Sequence, residues 1–140
     1  TRAVWNKMFL RSFWLANEIE FPDVARSNDI VPMVKAYTAA KKLDLVNRVV
    51  YLYRDRPGNS SMTTQARGIT GLLSYFNQEK QCNELLLASG KSKTLNAFWN
   101  GFLHSDGWVH LHKALNQPLT KAETRELADS VNYFWQQAAH

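Results

Sequence analysis

Apolar residues recur at three- and four-residue steps along most of this chain, and this spacing predicts amphipathic α-helices. The first such run predicts a helix over residues 2–18, whose apolar face covers more than half of its circumference. Its apolar positions are Val4, Trp5, Met8, Phe9, Leu10, Phe13, Trp14, Leu15, Ala16 and Ile19. A helix with so wide an apolar face is either the central element of the fold or is buried in part against a second subunit.

The second helix is predicted to follow residues 27–29, where Ser, Asn and Asp offer N-cap side chains and Pro32 falls in the first turn. The next segment fits two structures. Its length favours a helix that continues from Lys42 to Arg54, whereas the β-branched and aromatic run 49–53 favours a short strand over residues 48–53. Residues 54–61 contain Pro-Gly-Asn and predict a loop.

The second half of the chain predicts a series of helices with short connections. They cover residues 62–76, 81–88, a segment capped by Ser92, and 108–116, with a break expected at Ser105-Asp106-Gly107. The last helix begins with a capping box, because Thr120 and Glu123 can each satisfy a free backbone donor of the other. Its predicted buried stripe is Leu127, Ala128, Val131, Phe134 and Trp135.

These elements predict an all-α fold: a compact irregular or orthogonal bundle of about six or seven helices, with the short strand at residues 48–53 as the open alternative. We expect residues 1–140 to form a single helical domain. Because the chain begins at Thr1 without an initiator Met, it reads as a processed chain or as a piece excised from a longer one.

The charge of the chain is basic and uneven. Lys and Arg total 17 against 12 Asp and Glu, a net charge of +5, and residues 1–56 hold most of the surplus. Arginines and lysines interleaved with Tyr51 and Tyr53 suit phosphate contact and base stacking. The predicted phosphate-contacting residues are Lys41, Lys42, Arg48, Arg54 and Arg56, with Lys91 and Lys93 as a second contact. The competing interpretation is a solvated basic face, which Asp44 and Asp55 favour by interrupting it.

Residues that could carry catalysis or bind a metal do not form a convincing set. His110 and His112 diverge by about 200° on a helix, since each residue advances by roughly 100°. The one cysteine, Cys82, excludes a disulfide within the chain and a zinc site built on several thiolates, and a neighbouring carboxylate would raise its pKa. We therefore expect no catalytic residues, no metal and no cofactor, and a non-catalytic role is favoured over an enzyme.

The favoured function is a nucleic-acid-associated helical module that contacts the phosphate backbone of DNA or RNA through the basic segment. A helix-turn-helix with its turn at residues 77–80 is one arrangement that the spacing permits. The alternative is a protein-interaction or oligomerisation module of a larger assembly, which would use the apolar N-terminal helix through Trp5, Phe9, Leu10 and Trp14. A single cysteine suits a reducing compartment, so we expect a cytoplasmic protein with no membrane association.

Overall fold

The computed structural model describes residues 2–52 and 68–138, and within them every regular element is helical. The helices are α1 (Arg11–Ala16), α2 (Ile30–Ala39), α3 (Ile69–Ala88), α4 (Ser92–Gly101), α5 (Gly107–Leu115) and α6 (Lys121–Ala138), with a π-helical turn at Phe102–Asp106 between α4 and α5. The predicted all-α class is confirmed. The predicted count of six or seven helices is not confirmed, since residues 53–67 lie outside the described residues. The short strand is not confirmed either, because residues 48–52 form no strand and residue 53 lies outside the described residues.

The N-terminal helix is much shorter than the predicted 2–18, because residues before Arg11 are fastened to other parts of the fold. The backbone N–H of Val4 donates to the Asp29 carboxylate at 3.3 Å, which holds this part of the chain away from helical geometry. Helix α1 ends in a Schellman motif, in which the amides of Glu18 and Ile19 return to the carbonyls of Leu15 and Trp14. Glu18 takes the positive φ of 48° that this motif requires.

Helix α2 begins after Asp29, as predicted, but it ends at Ala39 and does not continue into residues 42–54. A side chain from the start of α4 caps its C-terminal end, because Lys91 Nζ donates to the carbonyl of Thr38 at 2.7 Å. Residues 42–52 are neither helix nor strand, and all of their side chains are exposed. The predicted helix over this segment is therefore wrong for residues 42–52.

Helix α3 is the central element and contacts α2, α4, α5 and α6. It runs without interruption through residues 77–80, so the predicted turn and the helix-turn-helix built on it are wrong. Two residues of the predicted turn, Gln78 and Glu79, are buried instead, whereas Asn77 is exposed. Asn83 donates to the Tyr133 hydroxyl at 3.1 Å, and Lys80 donates to the Ser130 hydroxyl at 3.1 Å, which joins α3 to α6.

Three phenylalanines from different elements meet at the centre of the core. The ring centroids of Phe102 and Phe134 lie 4.4 Å apart, and Phe76 packs edge-on against Phe134 at 5.3 Å. The chain was expected to break just after Phe102, but it passes through a π-helical turn into α5. Gly107 makes this continuation feasible, because an added Cβ would lie 2.8 Å from the Phe102 carbonyl oxygen.

The last helix has the capping box that the sequence predicts. The backbone N–H of Thr120 donates to Glu123 at 2.8 Å, and the Glu123 N–H donates to the Thr120 hydroxyl at 3.3 Å. Its buried face differs from the predicted one, since Ser130 is buried beside Leu127 and Phe134. Ala128, Val131 and Trp135 of the predicted stripe are exposed. The hydrogen bond from α3 to Ser130 explains why this polar residue faces inward.

Candidate interaction surface

The most exposed apolar part of the described chain is residues 43–52, called here the apolar segment. Its large apolar side chains face solvent; Leu45 is 97% exposed and Val49 is 81% exposed. The full set is Leu43, Leu45, Val46, Val49, Val50, Tyr51 and Leu52. No backbone hydrogen bond joins the apolar segment to another described residue. Single exposed apolar residues are ordinary, but seven of them within ten residues make an unusually large exposed apolar area.

One aromatic contact connects the apolar segment to the N-terminal part of the chain. The Tyr51 and Trp5 ring centroids lie 5.0 Å apart with an interplanar angle of 31°. The Tyr51 ring therefore packs against another aromatic side chain, and one of its faces is used within the protein. Tyr53, the second aromatic residue predicted to stack on bases, lies outside the described residues.

The structure brings some of the predicted phosphate contacts together. Lys91 bonds to the last turn of α2, only three residues before Lys41, so the start of α4 and the basic pair Lys41–Lys42 lie on neighbouring parts of the surface. Lys42 also forms an exposed ion pair with Asp44 at 3.3 Å. Arg48 is exposed within the apolar segment and Lys93 is exposed in the first turn of α4. Arg54 and Arg56 lie outside the described residues.

The four residues predicted to form an apolar interface do not share one helical face. Trp5 and Leu10 are exposed, but both precede α1. Phe9 packs on Trp14 at 5.0 Å between ring centroids, and Trp14 stacks on Phe21 at 5.6 Å. These aromatic residues border a shallow cleft of about 390 Å³ and cover one another in part. The apolar N-terminal residues are thus a small aromatic cluster with an exposed rim.

An ion pair in the core fastens the N-terminal segment to α3. Arg2 Nη1 donates to Glu79 Oε2 at 2.5 Å, and the Glu79 side chain is 0% exposed. Burial of the guanidinium lowers the Arg2 pKa, but its hydrogen bond to Glu79 and the charge of that carboxylate outweigh burial and raise the pKa above its ordinary value. The second Glu79 oxygen accepts no hydrogen bond from any described residue. The pair is therefore a buried salt bridge with one satisfied oxygen.

Above this pair lies a cavity of about 610 Å³ between the N-terminal segment and helices α2 to α5. Its walls combine apolar side chains with a few polar ones, among them Arg2, Asp29, Tyr37 and His110. The His110 ring packs against Tyr75 at 4.8 Å between centroids. Burial raises the pKa of Tyr37, so its hydroxyl remains a neutral hydrogen-bonding group. The volume suits a small organic molecule, but the charged guanidinium is already committed to Glu79.

The cysteine and the histidines of the described residues lie in different surroundings. Cys82 is buried, and burial together with the charge of Glu79 raises its pKa, so the thiol stays protonated and unreactive. His104 and His112 are exposed, whereas His110 lines the cavity. No group of three His, Cys, Asp or Glu converges on a metal position within residues 2–52 and 68–138. None of the helices in those ranges combines the length and apolarity that a membrane crossing requires.

Sequence reasoning missed the buried polar residues of α3, of which Glu79 bonds to Arg2 and Asn83 bonds to Tyr133 of α6. Glu79 and Asn83 lie on the same helical face as the buried Phe76 and Leu86, at steps of three and four residues. This three- and four-residue spacing is present in the sequence, but it is found only when polar residues are counted as possible core positions together with apolar ones. Comparison of the chain with family models, with curated proteins and with solved structures finds no match.

Proposed function

We propose that this protein is a protein-interaction module of a larger assembly, which docks onto a partner protein through the apolar segment. One observation carries the proposal: seven of the ten residues 43–52 present large apolar side chains to solvent, and the segment makes no backbone hydrogen bond to another described residue. Trp5, one of the interface residues expected from the sequence, contacts this segment through Tyr51. The docking surface therefore extends onto the N-terminal part of the chain.

The free energy gained by burying these side chains is similar in size to the cost of association. Full burial of a Val, Leu or Tyr-sized apolar side chain contributes about 1.5–3 kcal/mol relative to full exposure. Covering several of these side chains is worth on the order of 10 kcal/mol, which is comparable with the 4–15 kcal/mol that association costs in lost freedom. An apolar partner surface would release this free energy by removing the side chains from water. Phosphates would not, because aliphatic side chains make no favourable contact with them.

The interaction is tested by paired variants of matched chemistry. Leu45→Lys/Val49→Lys places two charges in the apolar segment, and Val109→Lys/Leu115→Lys places two charges on exposed apolar positions of α5. We expect the isolated wild-type protein to self-associate between about 1 and 100 µM in sedimentation velocity and to bind a hydrophobic fluorescent dye. The first variant should lose both properties and the second should keep them.

Two results would contradict the proposal. A wild-type protein that stays monomeric and leaves the dye dark does not present the apolar segment to a partner. If both variant pairs reduce association to the same extent, exposed apolar area in general is responsible, and residues 43–52 have no special role.

A second candidate function is nucleic-acid binding, and it is favoured by the juxtaposition of Lys91 with the chain that leads to Lys41 and Lys42. These cations, with Arg48 and Lys93, would contact phosphates along one edge of the apolar segment. The structural role of Lys91 in capping α2 and the ion pair of Lys42 with Asp44 already engage two of the five cations. For this reason nucleic acid is second to a protein partner.

Fluorescence anisotropy with a labelled random duplex and a labelled single strand separates the two candidates. Lys41→Gln/Lys42→Gln should abolish binding, whereas Lys121→Gln/Arg125→Gln, which removes the same charge from exposed positions of α6, should not. Each lost phosphate contact should reduce the salt dependence of log K by about 0.9 for duplex DNA. No binding at tens of micromolar protein, or binding indifferent to salt, excludes this function. A reducing, cytoplasmic location belongs to both proposals, since the single thiol is buried.

A further inference from the structure

Resting on the proposed function, we infer that the apolar segment binds its partner as an added β-strand, paired with the open edge of a partner β-sheet that carries carboxylates. The segment follows α2 after a bend at Lys41 and has one bend of its own, at Arg48. It continues to residue 52 without helix, strand or turn hydrogen bonds among the described residues. Ten residues of strand span about 33 Å, more than an average strand needs.

The composition of the segment identifies a strand rather than a docking helix. Val49-Val50-Tyr51-Leu52 places apolar side chains on both faces of an extended chain, since successive side chains point to opposite sides. β-branched and aromatic residues favour strands, and runs that are apolar on both faces are typical of strands covered on both sides. The same four residues on a helix would leave apolar groups around its whole circumference, which a groove covers on one side only.

The backbone explains why the strand is not formed within this chain. Two or more strands are needed to pair the N–H and C=O groups of a strand, and residues 2–52 and 68–138 contain no other strand. Unpaired backbone groups can stay in water, but covering both apolar faces removes that water. A partner that buries the segment must therefore supply main-chain hydrogen bonds, and an open sheet edge is the structure that supplies them in register.

The exposed cations of this region indicate which charges the partner strand carries. Lys41 precedes the segment and Arg48 lies at its middle, and neither is within ion-pair distance of a described carboxylate. The only acid inside the segment, Asp44, is paired with Lys42. The exposed cations therefore remain available, and carboxylates on the opposing strand would neutralise them.

The test uses a synthetic cyclic β-hairpin whose free edge strand alternates Val and Glu. Its control is the same peptide with the outward amides of that edge N-methylated, which removes hydrogen-bond donors and keeps the side chains. We expect the first peptide to bind the wild-type protein and the methylated peptide to bind at least tenfold more weakly, about 1.4 kcal/mol. A third peptide with Lys in place of Glu should bind more weakly than the first.

Variants on the protein side report the same hydrogen bonds. Val49→Pro and Val50→Pro each remove one backbone donor, and because only every second amide faces the partner strand, one of the two should weaken binding of the Val/Glu hairpin by tenfold or more. The matching Ala variants retain the donor and should cost much less. Because the segment makes no backbone hydrogen bond to the helices, none of these changes should alter the helical circular dichroism, and that spectrum confirms folding.

Each outcome decides the inference. Equal binding of the methylated and unmethylated hairpins, or equal effects of Pro and Ala at both positions, overturns strand addition while the dye and sedimentation results keep the proposed interaction intact. Absence of hairpin binding also overturns it. The self-association expected under the proposed function needs only side-chain contacts. If backbone amides of residues 49–52 also become protected as protein concentration rises, with no hairpin present, the strand pairs with a second copy of this chain and a separate partner sheet is excluded.

Discussion

Removal of Arg2 should destabilise the fold far more than removal of a typical charged residue. Arg2→Met leaves the Glu79 carboxylate wholly buried, with neither oxygen accepting a hydrogen bond from a described residue. Stranding one member of a buried pair costs about 3–5 kcal/mol, against a total stability of about 5–15 kcal/mol for a typical domain. The N-terminal segment should also detach from α3, since Arg2 is its deepest anchor.

Urea unfolding, followed by tryptophan fluorescence and by helical circular dichroism, measures this loss. Two further variants make the result specific. Asp44→Asn breaks the exposed pair with Lys42, whose side chains are 78% and 81% exposed, and should change stability by less than about 1 kcal/mol. Arg2→Met/Glu79→Met removes both buried charges and should recover most of the loss.

Two results would refute the reasoning about this ion pair. A loss below about 1 kcal/mol for Arg2→Met would show that Glu79 does not depend on Arg2 in solution. A double variant as unstable as Arg2→Met would show that lost packing, and not the uncompensated charge, is responsible.

The remaining predictions concern the π-helical turn and the last helix. Gly107→Ala should lower the free energy of unfolding in urea by about 1–3 kcal/mol, because the new Cβ meets the Phe102 carbonyl. The Cβ of Gly101→Ala meets nothing within 4 Å, so this change should be neutral or stabilising by up to about 1 kcal/mol. Equal effects of the two changes would contradict the assigned turn. Thr120→Ala should cost about 1 kcal/mol at neutral pH. The Thr120 hydroxyl and backbone lower the pKa of Glu123 below its unfolded value. Glu123 therefore stabilises the fold above its unfolded pKa and loses that effect as pH falls through its folded pKa, so the wild-type advantage over Thr120→Ala should shrink in acid; an advantage that grows would contradict this sign.

Local signals in the sequence were sufficient where the relevant partners lie close along the chain. The capping box of Thr120 and Glu123 and the start of α2 after Asp29 depend on residues within one helical turn, and both were predicted. The all-α class follows from helical spacing over most of the described residues. These features need no knowledge of how distant segments pack.

The errors arose where a distant residue decides the local structure. Residues 2–10 have helical spacing, but Arg2 bonds to Glu79, 77 residues away, and the N-terminal segment is not a helix. Lys91 ends α2 by capping Thr38 from 53 residues away. Ser130 occupies a core position because Lys80 donates to it across the α3–α6 contact. None of these pairings leaves a signature in hydrophobic periodicity.

The sequence did not predict the apolar segment as an exposed surface; it gave two competing secondary structures for it. Residues 49–53 fitted a strand by composition and a helix by length, and residues 49–52 form neither. A run that is apolar on both faces requires cover on both faces, and among the ring contacts between described residues only that of Trp5 with Tyr51 reaches the segment. Of the predicted phosphate contacts, Lys41 and Lys42 directly precede this segment and Arg48 lies within it, so part of the basic charge borders an apolar surface.

Amide hydrogen exchange at residues 43–52, measured on the isolated protein at low concentration, tests the central claim most directly. We expect these amides to exchange near the rate of an unstructured chain, and the amides in the middle of α3 to be strongly protected. Addition of the Val/Glu hairpin should then slow every second amide of the segment. Strong protection of residues 43–52 in the isolated monomer would contradict the account, because the segment would already be folded against its own chain.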